Sequence, residues 1–295
     1  MRHAIVGAGG VGGLVAAALV HAGEQVTLIL RPETYAEYPD HIRLESTYEN
    51  VEAPVARTTE LNSRFDIVWL AVKATQLEAA ISTLVAGRDN FGIIVPLLNG
   101  VEHIERLRAL FGHDRVVPAT ISVESERVAP GHIVHRSPFV HLAVAASGQP
   151  KLEGILKKLS DFGFSCEFVG DENTLLWRKL IFLAPLALTS SASGKTTGEM
   201  KEDPVWNARL QAAVREAGAV ALAEGAAVDV GGTLNSVESL PPDMRSSMQK
   251  DVEAGRTPEL DAIAGPIVRG GRKHGVPTPV ISDLVARIQN KTGVA

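Results

Sequence analysis

Cysteine is all but absent. Cys166 stands alone in 295 residues, so no internal disulfide can form, and its FSCEFV surroundings read as a strand in which it is a small core residue. Aromatic residues make up only 5%, and the formal net charge of −5 comes with no long cationic run, which removes the basic footprint that a nucleic-acid binder needs. No His, Cys or carboxylate cluster has metal-ligand spacing; His132, His135 and His141 fit neither a zinc set nor a nucleophilic triad and read as strand and loop residues. No run is expected to be long enough to span a bilayer, and no charged leader precedes an apolar signal stretch. These absences predict a cytoplasmic protein with no metal, no membrane and no nucleic-acid partner. What is present is ordinary for two soluble domains: 45% apolar and 21% charged residues in a chain longer than one usual domain.

The first thirty residues organise the chain. His3 to Val6 is a short apolar run, Gly7-Ala8-Gly9-Gly10-Val11-Gly12 follows at once, and Leu14 to His21 reads as an alanine-rich helix ending at Gly23. Strand, glycine loop and helix in that order form a dinucleotide-binding turn. Gly7 permits the tight exit from the strand, Gly9 the close approach of a pyrophosphate, and Gly12 the seating of helix on sheet. The amides at the helix start, aided by the helix dipole, would face the phosphates. The second strand, Gln25 to Leu30, ends at Arg31. An NAD site places an acidic residue there for the ribose hydroxyls, whereas an arginine suits a 2′-phosphate, so NADP(H) is the predicted cofactor.

Strands and helices then alternate. Phe65 to Val72 is a nearly unbroken apolar run of the kind found in parallel strands covered on both faces, and Gly92 to Leu98 is another. They end at Lys73 and at Asn99-Gly100. In an open α/β sheet ligands sit beyond the carboxyl ends of strands, which makes Lys73 and Asn99 candidate site residues; a solvated charge and a turn pair are the plainer alternatives. Short extended stretches from Arg115 to Ala145 suggest antiparallel strands completing the sheet. After Gly170 the pattern is helical, and a kink or break near Leu183 is expected from Pro185. Leu240 to Met248 and Asp251 to Ala254 read as a pair of short helices. Ser193-Gly194-Lys195-Thr196 has part of a phosphate loop, but position 189 is Thr where glycine is required, and the segment follows a helix. The fold class is thus α/β: a Rossmann-type doubly wound sheet over residues 1–169, then an all-helical domain over 170–295.

Trp177-Arg178-Lys179-Leu180, Ser246-Ser247-Met248-Gln249-Lys250-Asp251, Glu259-Leu260-Asp261 and Gly275-Val276-Pro277-Thr278-Pro279 resemble the ketopantoate reductase (2-dehydropantoate 2-reductase) family. The glycine loop, Lys73 and Asn99-Gly100 match the same family in the same order. The resemblance implies an NADPH-dependent reduction of a 2-oxo acid to a 2-hydroxy acid in pantothenate biosynthesis. It makes Lys179 the general acid and Glu259 the group that orients it and holds its charge. Asn99 and Ser247 would contact substrate, Lys73 would lie between cofactor and substrate, and Asn99 and Glu259 would also border the cofactor. Helical domains of such reductases often carry homodimer contacts. Where the family has asparagines one and two turns after the lysine, this chain has Leu183 and Ala187, which weakens recognition of a substrate hydroxyl unless Thr189 or Ser190 turns inward. A different 2-oxo acid is the alternative substrate, and a non-catalytic NADP(H)-binding sensor the alternative function.

Overall fold

In a computed structural model the structure describes residues 1–293. The chain begins β1 (Arg2–Val6), α1 (Gly10–His21), β2 (Gln25–Ile29), α2 (Pro32–Tyr35), β3 (His41–Ser46), β4 (Val51–Pro54), β5 (Ala56–Thr58) and β6 (Phe65–Leu70). There follow α3 (Leu77–Ala86), β7 (Phe91–Pro96), α4 (His103–Phe111), β8 (Ala119–Ser122), β9 (Ser125–Ala129), β10 (His132–His135), β11 (His141–Ala145), α5 (Gln149–Phe162) and β12 (Ser165–Val169). The remainder is helical: α6 (Glu172–Ser193), α7 (Thr197–Glu202), α8 (Pro204–Ala223), α9 (Val230–Glu238), α10 (Ser247–Glu253), α11 (Leu260–His274) and α12 (Pro279–Thr292).

The first sheet is parallel, in the order β5-β2-β1-β6-β7. Its apolar runs are continuous because both faces are covered. Ile5, Ile67, Trp69, Ile93 and Val95 join Leu14, Val15 and Leu19 of α1 in one core. The alternate residues Ala4, Val6, Val68, Leu70 and Ile94 join Ala80, Ile81 and Leu84 of α3 and Leu107 and Phe111 of α4 in another. A strand turns successive side chains to opposite faces, so each run fills two cores.

The strands from Ala119 to Ala145 do not complete this sheet, as the sequence had suggested. β8 pairs antiparallel with β11, which pairs parallel with β12, and β9 pairs antiparallel with β10, which runs parallel to β3 beside β4. Ile42 and Leu44 of β3 and Ile133 of β10 are buried against α1's core, whereas Arg43 is exposed, so burying the apolar face of β3 and β10 selects this separate sheet.

The chain forms two compact units, 1–98 with 103–175, and 99–102 with the residues from 176 onward. The expected division at 169/170 therefore moves to 175/176, because Leu175 packs with Ala143 and Ala145 while Trp177, Leu180 and Ile181 belong to the helical core. Of the kink or break expected near Leu183, the break is absent, since α6 runs through Pro185 as one helix of 22 residues. Leu186 on one face and Ala187 and Leu188 on another lie in two packed cores, which hold the helix together across the missing donor. With a mean hydropathy of 1.2, α6 is long and apolar enough to cross a membrane by length and composition, which corrects the earlier expectation; 72% of that stretch is buried within the protein, as in a core helix.

Other helical boundaries also differ. Val230–Glu238 is a helix despite Gly231-Gly232, because the Asp229 carboxylate accepts from the Gly232 amide and caps it. Leu240 to Ser246 is a connector interrupted by Pro241-Pro242. Ser193-Gly194-Lys195-Thr196 is a helix-to-helix turn: Gly194 has φ +75°, and Thr196 forms a capping box with Glu199.

Candidate active site

In the sheet unit, β1 pairs parallel with both β2 and β6, with Val6 opposite Ile29 and Leu70. The three carboxyl ends therefore share one level. The glycine loop leaves the middle strand, Arg31 follows one neighbour and Lys73 the other. Gly7 turns with φ +101°, and a Cβ there would stand 2.7 Å from the Ala71 carbonyl carbon, so the loop lies directly against the segment leading to Lys73. At Gly12 a Cβ would meet the Gly7 oxygen at 2.0 Å, which leaves no space for any side chain between helix and loop. Gly9 differs, because nothing lies within 4 Å of the position a Cβ would take.

Gly9 is also the N-cap of α1, where no side chain caps the helix and no acidic residue occupies the first turn. Amides at an uncapped helix start beside open space fit the pyrophosphate of a dinucleotide. Gly10 has a structural role beside that one: its Cβ would collide with the Ser125 carbonyl oxygen at 2.1 Å, and its own oxygen accepts from Ser125 Oγ at 2.9 Å. Ala8 is buried and Val11 half-buried, so the loop's contacts come from backbone. The Arg31 side chain is 59% exposed and stands 3.5 Å from Glu33, and Lys73 is exposed three residues past the end of β6.

The helical unit holds a second group of candidate residues. Asn99, three residues past the end of β7, reaches Lys179 of α6 and Glu259, the residue before α11. Lys179 Nζ donates to Asn99 Oδ1 at 3.0 Å, and Asn99 Nδ2 donates to Glu259 Oε2 at 3.2 Å. Only this orientation of the amide satisfies both neighbours, since an ammonium cannot accept and a carboxylate cannot donate. All three residues are half-buried. Burial lowers the Lys179 ammonium to a pKa of about 8, while the opposite charge of Glu259 works to raise it.

The turn that delivers Glu259 is braced from α10. Ser246 caps α10 by accepting from the Gln249 amide at 3.1 Å and bonds Ser190 Oγ at 2.8 Å. The buried Asp251 carboxylate takes Arg256 Nε at 2.7 Å. The structure thus gathers Lys179, Asn99 and Glu259, and Ser247 is exposed on the first turn of α10. Thr189 and Ser190 are fully buried, and Ser190 is engaged with Ser246 rather than available in place of the absent asparagines. The bridging role of Asn99 and the brace through Ser246 and Asp251 were not read from the sequence; the only local signal was a serine before α10 at a capping position.

A Rossmann sheet with an open glycine loop, continued by a helical unit that holds a lysine of lowered pKa, places the chain among Rossmann-type oxidoreductases. Comparison with known proteins narrows the class. The sequence model described as Ketopantoate reductase PanE/ApbA matches residues 3–145, and its C-terminal counterpart matches residues 172–292. The chain belongs to the ketopantoate reductase family. It is 34% identical to a 2-dehydropantoate 2-reductase of Mycobacterium tuberculosis (strain ATCC 25618 / H37Rv) over 288 residues, covering 96% of this chain and 95% of that one. A crystal structure of a PanE/ApbA family ketopantoate reductase from Ralstonia eutropha JMP134 superposes with a TM-score of 0.88 at 26% identity, covering 99% of both chains. D-mandelate dehydrogenase, solved with NADH and anilino(oxo)acetate, has the same fold, with a TM-score of 0.89 at 22% identity over 99% of both chains.

Proposed function

We propose that this chain reduces a 2-oxo acid to the 2-hydroxy acid with NADPH, with ketopantoate (2-dehydropantoate) as the leading substrate and pantothenate biosynthesis as the setting. The observation that carries the reading is the Lys179–Asn99–Glu259 chain of hydrogen bonds. NADPH, when bound, supplies a hydride. Gly9, with the amides of the first turn of α1, would hold its pyrophosphate and Arg31 its 2′-phosphate. The work of Lys179 is on the substrate oxygen, where negative charge develops as the ketone is reduced. Its ammonium stabilises that charge and then gives up a proton. A pKa of about 8 leaves the ammonium mostly protonated at neutral pH, yet makes it a stronger acid than an ordinary lysine. Glu259 keeps the proton on Lys179 through the Asn99 bridge.

A second substrate reading rests on Leu183, half-exposed one turn after Lys179, and on Ala187, fully buried a turn further. Residues four apart share a helix face, so the wall beside the ammonium is apolar and offers a substrate hydroxyl no partner. A 2-oxo acid with an apolar branch would suit it better than ketopantoate. The test is NADPH oxidation followed by absorbance, with ketopantoate and a panel of apolar 2-oxo acids, and with NADH in parallel. Turnover led by ketopantoate supports the first reading, and turnover confined to apolar acids supports the second. A Lys179→Ala protein that turns over as well as the parent refutes both, and tight NADPH binding without turnover of any oxo acid would point to a sensor.

A further inference from the structure

We propose that Arg269 is a positioning residue for the Lys179–Asn99–Glu259 group: by tying Glu102 to Asp261 it holds Asn99 in line between the two charges. The inference rests on the reading of that group as the enzyme's acid and its counter-ion.

Arg269 lies on α11 and grips two carboxylates from different parts of the chain. Nε and Nη2 donate to the two oxygens of Glu102 at 2.9 and 2.6 Å, and Nη1 and Nη2 donate to those of Asp261 at 2.7 and 3.3 Å. Each carboxylate is met as a fork, the geometry in which a guanidinium both attracts and orients. Glu102 follows Asn99 by three residues and Asp261 follows Glu259 by two. The clamp therefore joins the two segments that supply the bridging amide and the carboxylate.

The segment 99–102 needs such a tie. It has no helix or strand of its own, and it is the one stretch from the first half of the chain that belongs to the helical unit. It also lies hard on α11. Gly100 has φ +88°, and a Cβ there would stand 2.3 Å from the Ala262 carbonyl oxygen, while Val101 packs against the helical core. Gly100 and Val101 fix how closely the segment approaches α11, and Arg269 fixes where along the helix it rests. The tolerance is small, because Asn99 bridges with both ends at 3.0 and 3.2 Å, and a slip of about 1 Å breaks one hydrogen bond or the other.

The plainer interpretation is a solvent-facing ion pair without consequence, since such pairs contribute little to stability. The side chains of Arg269, Glu102 and Asp261 are indeed 46%, 51% and 81% exposed. Stability is therefore the wrong readout, and the test has to follow Asn99's neighbours.

The experiment uses the full-length protein and its Arg269→Gln and Glu102→Ala variants, with Arg269→Lys as the conservative change. The pKa of Lys179 is read from the pH dependence of its acylation by a small amine-reactive ester, quantified by peptide mass spectrometry, which needs no turnover. Removing a positive charge at 269 should raise the Lys179 midpoint through space, and removing a negative charge at 102 should lower it. Loss of the clamp instead lowers it in both, because Glu259 is no longer held across Asn99. The expected result is a fall in both variants, a loss of roughly 10- to 100-fold in kcat with ketopantoate and NADPH, and an intermediate value for Arg269→Lys. Melting midpoints should stay within a few degrees of the parent. Midpoints that move in opposite directions, or not at all, overturn the proposal. Arg269→Lys decides the matter should Arg269→Gln fail to fold: it keeps the charge, so through-space effects alone would leave the Lys179 midpoint in place, whereas loss of the two-fork grip lowers it. Absence of turnover in the parent would sink the functional reading, while the labelling midpoints would still judge the clamp.

Discussion

Replacing Glu259 by Gln should move the alkaline limit of activity and leave the acid side almost intact. Glutamine keeps an oxygen that can accept from Asn99 Nδ2, so the bridge survives while the charge is lost. The two hydrogen bonds through the Asn99 amide set the ammonium and the carboxylate within roughly 8 Å of each other; at an effective dielectric of about 20 their attraction is about 2 kcal/mol, equivalent to roughly 1.5 pKa units. Burial, the larger influence on Lys179, would then act unopposed and carry its pKa further below about 8. In the proposed mechanism the ammonium is the active form, so activity is lost as pH rises through the lowered pKa. At pH near 7.5 the protonated fraction, and with it kcat/KM, should fall by roughly eightfold, while at pH near 5.5 variant and parent should nearly coincide. Steady-state NADPH oxidation with ketopantoate across this range provides the assay. An unmoved alkaline limb would show that Glu259 does not hold the lysine's proton. An equal loss at every pH would make its role steric.

Three further outcomes follow from the geometry. Gly9→Ala should leave the melting midpoint unchanged, because its methyl enters open space, yet weaken NADPH binding at least about tenfold by filling the phosphate cradle; Gly12→Ala, whose methyl would collide with the Gly7 oxygen, should instead destabilise the fold, and thermal melts with fluorescence titrations separate the two. Arg31→Ala should reduce kcat/KM for NADPH by roughly 10- to 100-fold, the worth of a charge-assisted phosphate contact, and leave NADH untouched; equal losses with both cofactors would remove Arg31 from the 2′-phosphate. The third concerns Glu24, which takes hydrogen bonds from Lys158, His3 and the N-terminal ammonium. Burial would raise its carboxyl, but those partners outweigh it and hold the pKa at about 2. Because the pKa is depressed on folding, its stabilisation is full above the unfolded value near 4.5 and fades as pH falls towards 2. Glu24→Gln should cost on the order of 2 kcal/mol in urea unfolding at pH 7 and converge with the parent in acid; a constant difference across pH would exclude the ionic origin.

The parts legible in the sequence were those whose cause is local. Gly7, Gly9 and Gly12 announce themselves because one turn of backbone needs them, and Arg31 and Lys73 because each ends a strand neighbouring the loop. Lys179 was named only by the resemblance that its Trp177-Arg178-Lys179-Leu180 motif carries. Asn99 carried the same mark as Lys73, a polar residue past the end of a strand, whereas Glu259 has no local mark. They lie 160 residues apart, and only resemblance to a family joined them before the structure did. The strands beyond β7 were found but mispaired, because the choice between β10 on β3 and a hairpin-only sheet depends on burial of Ile42, Leu44 and Ile133 against a helix far away in sequence. The cap that Asp229 gives α9 was not read, and the absence of a break at Pro185 depends on packing on two faces of α6 that the sequence does not show.

The excursion of residues 99–102 into the helical unit has a consequence for how the chain can be divided. A fragment beginning at Leu176 would lack Val101 beside its core and the amide between its lysine and glutamate; a fragment ending at Leu175 would carry both away with it. The two halves are therefore not interchangeable modules that could be swapped at a linker. During synthesis Asn99 leaves the ribosome long before Lys179 and Glu259, so the reactive group cannot be assembled until α11 has been made. A sheet-unit fragment could retain its nucleotide loop, but the Lys179–Asn99–Glu259 group forms only in a chain that carries all three segments.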